Sequence, residues 1–170
     1  MGRAYAPGVT RTLILVRHAK SARPDDVPDH DRPLAGRGRR DAPALGRWLA
    51  EHRLIPQLVL VSSARRAVET AELIAAELVR APTQVRSDGA YNASAAELLD
   101  LVHELPDDVD SAMVVGHNPS IEELARQLAG DGADLGEMPT CAVVVFQVDG
   151  DWGSAGPGIA RLTASAAPRG

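Results

Sequence analysis

Two histidines and at least two arginines, far apart in this chain, share one setting. Each stands at or just beyond the end of a short apolar run. Arg17 and His18 close TLILVRHAKS, Arg65 and Arg66 stand in SSARRAVETA just past QLVLV, and His117 stands in GHNPS just past SAMVV. An arginine offers a planar fork of donors that grips oxyanions and repels cations. A histidine beside such forks can attack phosphorus or donate a hydrogen bond to a phosphoryl oxygen. None of the three positions carries a carboxylate, whereas divalent ions usually want carboxylates or more histidines, so no metal and no other cofactor is expected. The expectation is that Arg17 binds a phosphoryl group and His18 attacks it. Ser21 can donate to the same group or merely shape its loop.

Positioning these residues together requires a sheet. Valine-, isoleucine- and leucine-rich runs at 12–16, 57–61, 111–115 and 141–148 have the length and near-continuous apolarity of strands covered on both faces, as in a parallel sheet. Between them lie helical patterns. Residues 41–52 carry Ala42, Leu45, Trp48 and Leu49 on one stripe, with Pro43 near the first turn. Residues 66–79 carry Ala67, Thr70, Ala71, Ile74 and Leu78, and residues 94–104 carry Leu98, Leu101 and Val102 before Leu105-Pro106. In 118–129, Ser120 and Glu123 have capping-box spacing and Gly130 marks the stop. Asp149-Gly150 signals a turn, 158–163 can return as an antiparallel edge strand, and the tail ASAAPRG reads as frayed. The pattern predicts a three-layer α/β/α sandwich with a mostly parallel central sheet. It fits one domain over residues 1–170, its core spanning about 11–164.

Ligands of open α/β sheets bind outside the carboxyl ends of the strands, where the histidines and arginines singled out above would lie. Composition agrees with a soluble protein: 45% apolar, 24% charged, net charge −5. The acidic balance argues against a nucleic-acid or anionic-membrane surface, even at the RGRR run of 37–40, which reads as a solvated helix start. Lys20 is the single lysine, and the arginine and alanine bias reads as codon usage. No run is long enough to span a bilayer, and MGRAYAPGVT lacks the apolar stretch of a signal peptide. Cys141, the one cysteine, cannot form an internal disulfide. Together these predict a cytoplasmic protein. Cys141 and Trp48 read as core, and His30, His52 and His103 as solvated surface histidines.

Four segments carry a resemblance. LVRHAKS resembles the arginine-histidine motif of the histidine phosphatase superfamily, whose first histidine is phosphorylated in the catalytic cycle. SSARRAVETA is similar to that family's serine, arginine-alanine, threonine-alanine segment, which makes Arg66 the phosphate-binding arginine and Arg65 a variable neighbour. VVGHNPSIEELA is similar to the segment of the second histidine, here His117, and DRPLAGRGRRDA resembles the short SixA-like phosphohistidine phosphatases. The resemblance implies a phosphoglycerate mutase-like fold and a phosphorylated protein, or a small phosphorylated molecule, as substrate.

The chain departs from the pattern twice. Ala19 replaces the usual glycine. The stretch SDGAYNASAAELL, 87–99, holds no evident counterpart of the glutamate acid of larger members, with Asn92 where an acid is expected and Asp88 and Glu97 candidates by proximity alone. An ester leaves as an alkoxide and wants a proton donor worth roughly 10²–10⁴ in rate. Imidazole, with a pKa near ~6.5, leaves without one. The expected substrate is therefore phosphohistidine on a protein. A small-molecule phosphomonoesterase would need a positioned acid among Asp88, Glu97 or the 25–31 loop, and a binding module would have lost catalysis.

Overall fold

The computed structural model describes residues 8–170, so the leader reading of the first seven residues lies outside it. The elements run β1 (Thr10–Arg17), α1 (Gly36–Glu51), β2 (Leu58–Ser62), α2 (Arg65–Ala75), β3 (Thr83–Ser87), α3 (Ala95–His103), β4 (Ser111–Gly116), α4 (Ser120–Ala129), β5 (Val143–Asp149) and β6 (Ala160–Ala166). One sheet takes the order β3-β2-β4-β1-β5-β6. Successive strand residues point to opposite faces, so a run apolar at every position must be covered twice. Leu13, Leu15, Leu60, Val114 and Phe146 pack with α3 and α4, whereas Ile14, Val16, Val61, Val115 and Val145 pack with α1 and α2. The result is the expected three-layer α/β/α architecture.

Strands β1 to β4 are mutually parallel, and β6 pairs antiparallel with its neighbour β5, as expected. The reversed strand is β5, which runs antiparallel to β1, and its apolar run gave no sign of this. A strand covered on both faces reads the same in either direction. The sense is set by the irregular segment 130–142, which carries the chain from the end of α4 back to the edge where β4 finished.

Other local readings need correction. Helix α1 starts at Gly36, five residues before the apolar stripe becomes visible, so Pro43 lies in the helix interior. The exposed Arg37, Arg39 and Arg40 do form the solvated helix start. Helix α2 ends at Ala75, short of Leu78. Strand β3 went unseen because TQVRS is a largely exposed edge with almost no apolar signal. The Ser120–Glu123 capping box does not form: Ile121 N–H already donates to the His117 carbonyl at 2.9 Å, so Ser120 lies inside the first turn and its hydroxyl donates to that same carbonyl at 3.0 Å. The capping box is at Ser94–Glu97 instead.

The C-terminal tail is tied down rather than frayed. Its first three residues belong to β6, and Arg169 reaches the buried Asp41 carboxylate at 3.2 Å and the Thr140 carbonyl at 3.0 Å. Cys141 is buried, but it lies in the turn before β5, at φ 63°, rather than in the strand. Trp48 is partly buried against the α1/α2 core and stacks on His52. Among the described residues, no helix is long and apolar enough to cross a membrane.

Candidate active site

Strands β2, β4 and β1 are neighbours, so the segments leaving their carboxyl ends converge. Register brings the two histidines together. Arg17 pairs with Gly116 across β1 and β4, so His18 and His117 emerge side by side, their ring centroids 5.0 Å apart. Arg66 arrives from the first turn of α2. These three residues and Arg17 line a cavity of about 400 Å³.

His18 is buried, and its Nδ1 lies 2.7 Å from the Ala19 carbonyl. A carbonyl only accepts, so Nδ1 carries the proton and Nε2 keeps its lone pair. Burial above all, with His117, Arg66 and Arg17 adding to it against the Ala19 carbonyl, pushes the His18 pKa down to about 3. The ring is neutral at ordinary pH, with the lone pair of Nε2 free of a proton. Thr70 fixes the loop that carries it: its hydroxyl oxygen accepts from Ala19 N–H at 3.0 Å and its own proton goes to the Arg66 carbonyl at 2.6 Å.

His117 Nε2 lies 2.7 Å from the hydroxyl of Ser62, which is fully buried. Ala64 N–H donates to the same oxygen at 3.3 Å, and the buried hydroxyl proton has no acceptor other than Nε2 among the described residues, so it goes there. That sets the His117 proton on Nδ1 and makes the ring a neutral donor. Burial first, and then Arg66, lower its pKa to about 4.

The arginines are held by different means. Arg17 donates to the Met138 carbonyl at 3.0 Å, and its buried Nε–H has no partner among the described residues. An orphaned buried donor calls for an acceptor, and a phosphoryl oxygen is one. Arg66 donates to the Asp29 carbonyl at 2.7 Å and to its carboxylate at 3.1 Å. That carboxylate also accepts from the Tyr91 hydroxyl at 2.6 Å. Tyr91 first, then Arg32 and Arg66, hold the Asp29 carboxyl well below the usual carboxylate range. Asp29 in turn raises the Tyr91 pKa.

Ser21 lines the cavity, but its hydroxyl oxygen accepts from Arg32. Neither Asp88 nor Glu97 lines it, whereas Asn92 does. Glu97 spends its carboxylate on the Ser94 N–H at 2.8 Å, at the start of α3. Arg65 points outward and pairs with Glu69 at 2.8 Å. Asn118 braces the wall by donating to Glu122 and to the Met138 carbonyl, both at 3.1 Å.

Sequence reasoning missed Asp29, Arg32, Ser62 and Tyr91. It also read His30 as solvated, whereas His30 reaches Ser63 at 2.9 Å and packs edge-on to Tyr91. His103 likewise is part-buried, 2.7 Å from the Ala155 carbonyl. Only the acid-rich 25–31 loop gave a signal that a carboxylate could approach the site.

The profile of the histidine phosphatase superfamily (branch 1) matches residues 13–90, which include the Arg17–His18 and Arg66 segments. An uncharacterized Mycobacterium tuberculosis protein, Rv1276c, is 37% identical over 162 residues, covering 91% of this chain and 100% of its own. A structure assigned as the phosphohistidine phosphatase SixA of Nakamurella multipartitia superposes with TM-score 0.82 at 28% identity, over 96% of this chain and 99% of that one. One with the same assignment from Agrobacterium tumefaciens gives 0.80 at 28% identity, over 93% and 98%. The chain belongs to the histidine phosphatase superfamily, and its fold is that of the SixA structures.

Proposed function

We propose that this protein is a phosphatase that removes the phosphoryl group from phosphohistidine on a protein, by way of a phosphohistidine formed on its own His18. His18 Nε2 attacks phosphorus in line. The other ring nitrogen of the substrate takes a proton from solvent near neutrality, the phosphorus–nitrogen bond breaks with its electron pair going to nitrogen, and neutral imidazole leaves without a proton donor from the protein. Arg17 and Arg66 hold the equatorial oxygens, and His117 Nδ1–H donates to a non-bridging oxygen. Water then attacks phospho-His18, the new phosphorus–nitrogen bond returns its pair to Nε2, and inorganic phosphate departs. The guanidinium groups supply the positive charge that a phosphoryl transfer requires.

One observation carries the choice of substrate: among the described residues lining the cavity there is no carboxylic acid. Asp29, whose carboxylate meets Arg66 and Tyr91 of the lining, is held ionised by Tyr91, Arg32 and Arg66 and has no proton to give near neutrality. Such a site favours phosphoramidates over esters. The likeness to the two SixA structures supports the same reading.

The test offers the purified protein a phosphohistidine protein and a panel of phosphate monoesters side by side. Faster turnover of the phosphohistidine is expected. Preference for esters overturns the reading in favour of a small-molecule phosphatase, and inactivity on everything favours a binding module.

A further inference from the structure

Five cationic side chains line the cavity, Arg17, Lys20, Arg23, Arg32 and Arg66, and no acidic one does. That is more charge than one phosphoryl group requires. A phosphoryl dianion is matched by Arg17 and Arg66, and Arg32 is paired with Asp29 at 2.8 Å. Lys20 and Arg23 remain. Both are exposed, and among the described residues neither has a carboxylate within 4.0 Å. Elsewhere the exposed arginines Arg37, Arg39, Arg47, Arg65, Arg86 and Arg126 meet a carboxylate, whereas Arg40, Arg53, Arg80 and Arg161 have none within 4.0 Å among the described residues, so an exposed cation without a carboxylate is not in itself distinctive. What distinguishes Lys20 and Arg23 is their place: they share one cavity lining with Arg17, Arg32 and Arg66, where like-charge repulsion disfavours them unless a ligand compensates.

The backbone that presents them is fixed. The Lys20 carbonyl accepts from Ala35 N–H at 2.8 Å, and Ala22 N–H donates to the Pro33 carbonyl at 2.9 Å. Gly38 of α1 lies so close that a Cβ there would fall 2.2 Å from the Lys20 carbonyl oxygen. A rigid loop thus holds a lysine and an arginine two and five residues beyond His18.

We propose that Lys20 and Arg23 form an outer anion subsite that selects phosphohistidines flanked by carboxylates on the partner protein. This rests on the phosphatase reading above. The transferred group enters between Arg17 and Arg66, and aspartate or glutamate side chains beside the phosphohistidine meet the two rim cations. Exposed pairs are individually weak, so the pair together gives about a tenfold preference, weakened by salt because the contacts are solvated.

The test uses two synthetic phosphohistidine peptides that differ only in flanks, glutamate and aspartate in one, glutamine and serine in the other, with phosphoramidate as a probe lacking flanks. The wild-type protein is expected to show about tenfold higher kcat/KM on the acidic peptide, expressed in KM and shrinking at ~1 M salt. In Lys20→Gln/Arg23→Gln the two peptides converge, and Lys20→Arg retains the preference. Equal kcat/KM in the wild type, or a preference that survives in the double variant, overturns the subsite. Turnover of none of the three probes overturns the phosphatase reading instead. Calorimetric binding of the peptides to His18→Ala then decides the subsite separately: tighter binding of the acidic peptide supports it, and equal affinities overturn it.

Discussion

At the scale of the residue, the site is a set of protonation states imposed by neighbours. The Ala19 carbonyl fixes the His18 tautomer and Ser62 fixes that of His117, so two neutral imidazoles are suited to the different roles proposed for them, His18 as nucleophile and His117 as donor. His18→Ala is expected to abolish turnover while melting cooperatively near the wild-type temperature; retained turnover in the folded variant rejects the nucleophile. Ser62→Ala frees His117 to take the other tautomer or turn away. Loss of one oriented donor predicts a fall of about 10²-fold in kcat, with KM little changed, in a steady-state assay. Because His18 sits at about 3 and His117 at about 4, the acidic limb of kcat/KM is expected below pH ~5 rather than near the ~6.5 of free histidine. Since the rings face each other, that limb belongs to the pair.

At the scale of the element, direction and contact explain what could be read from the sequence and what could not. Runs such as LILV and AMVV announce strands because both faces are buried, and the residues just past them are displayed at the carboxyl edge by topology alone. Arg17, His18, Arg66 and His117 were legible for that reason. Asp29, Ser62 and Tyr91 were not, because each matters through a partner 37 to 62 residues away. Polar TQVRS hid β3, and although RGRR read as a helix start, the apolar stripe that marks α1 becomes visible only within 41–52. Gly38 in that first turn carries a prediction. Gly38→Ala forces a methyl against the Lys20 carbonyl and must displace either α1 or the loop behind His18. Overpacking of this kind costs ~1–3 kcal/mol, to be read from urea melts, and the loop shift should lower kcat/KM as well.

At the scale of the whole molecule, the buried histidines tie stability to acidity. Both have folded pKa values below that of the unfolded chain, so the unfolded chain binds protons that the native state refuses. The sign follows: stability is full above pH ~6.5 and is lost as pH falls from there toward 4 and then 3. Urea denaturation at pH 7.5 and 4.5 should show a clear drop for the wild-type protein and a smaller one for His18→Asn/His117→Asn. An equal drop in both would assign the acid sensitivity to other groups.

The reversal of β5 places the beginning of that strand, rather than its end, against the reaction centre. The wall beside Arg17 is therefore assembled from one contiguous stretch, His117 and Asn118 at its start and Met138 and Thr140 at its finish. The backbone between those anchors, from Gly130 to Glu137, leaves the sheet's hydrogen bonding untouched. Changes of length or bulk along that span leave untouched the strands that carry His18 and His117, so the chemistry is separable from it.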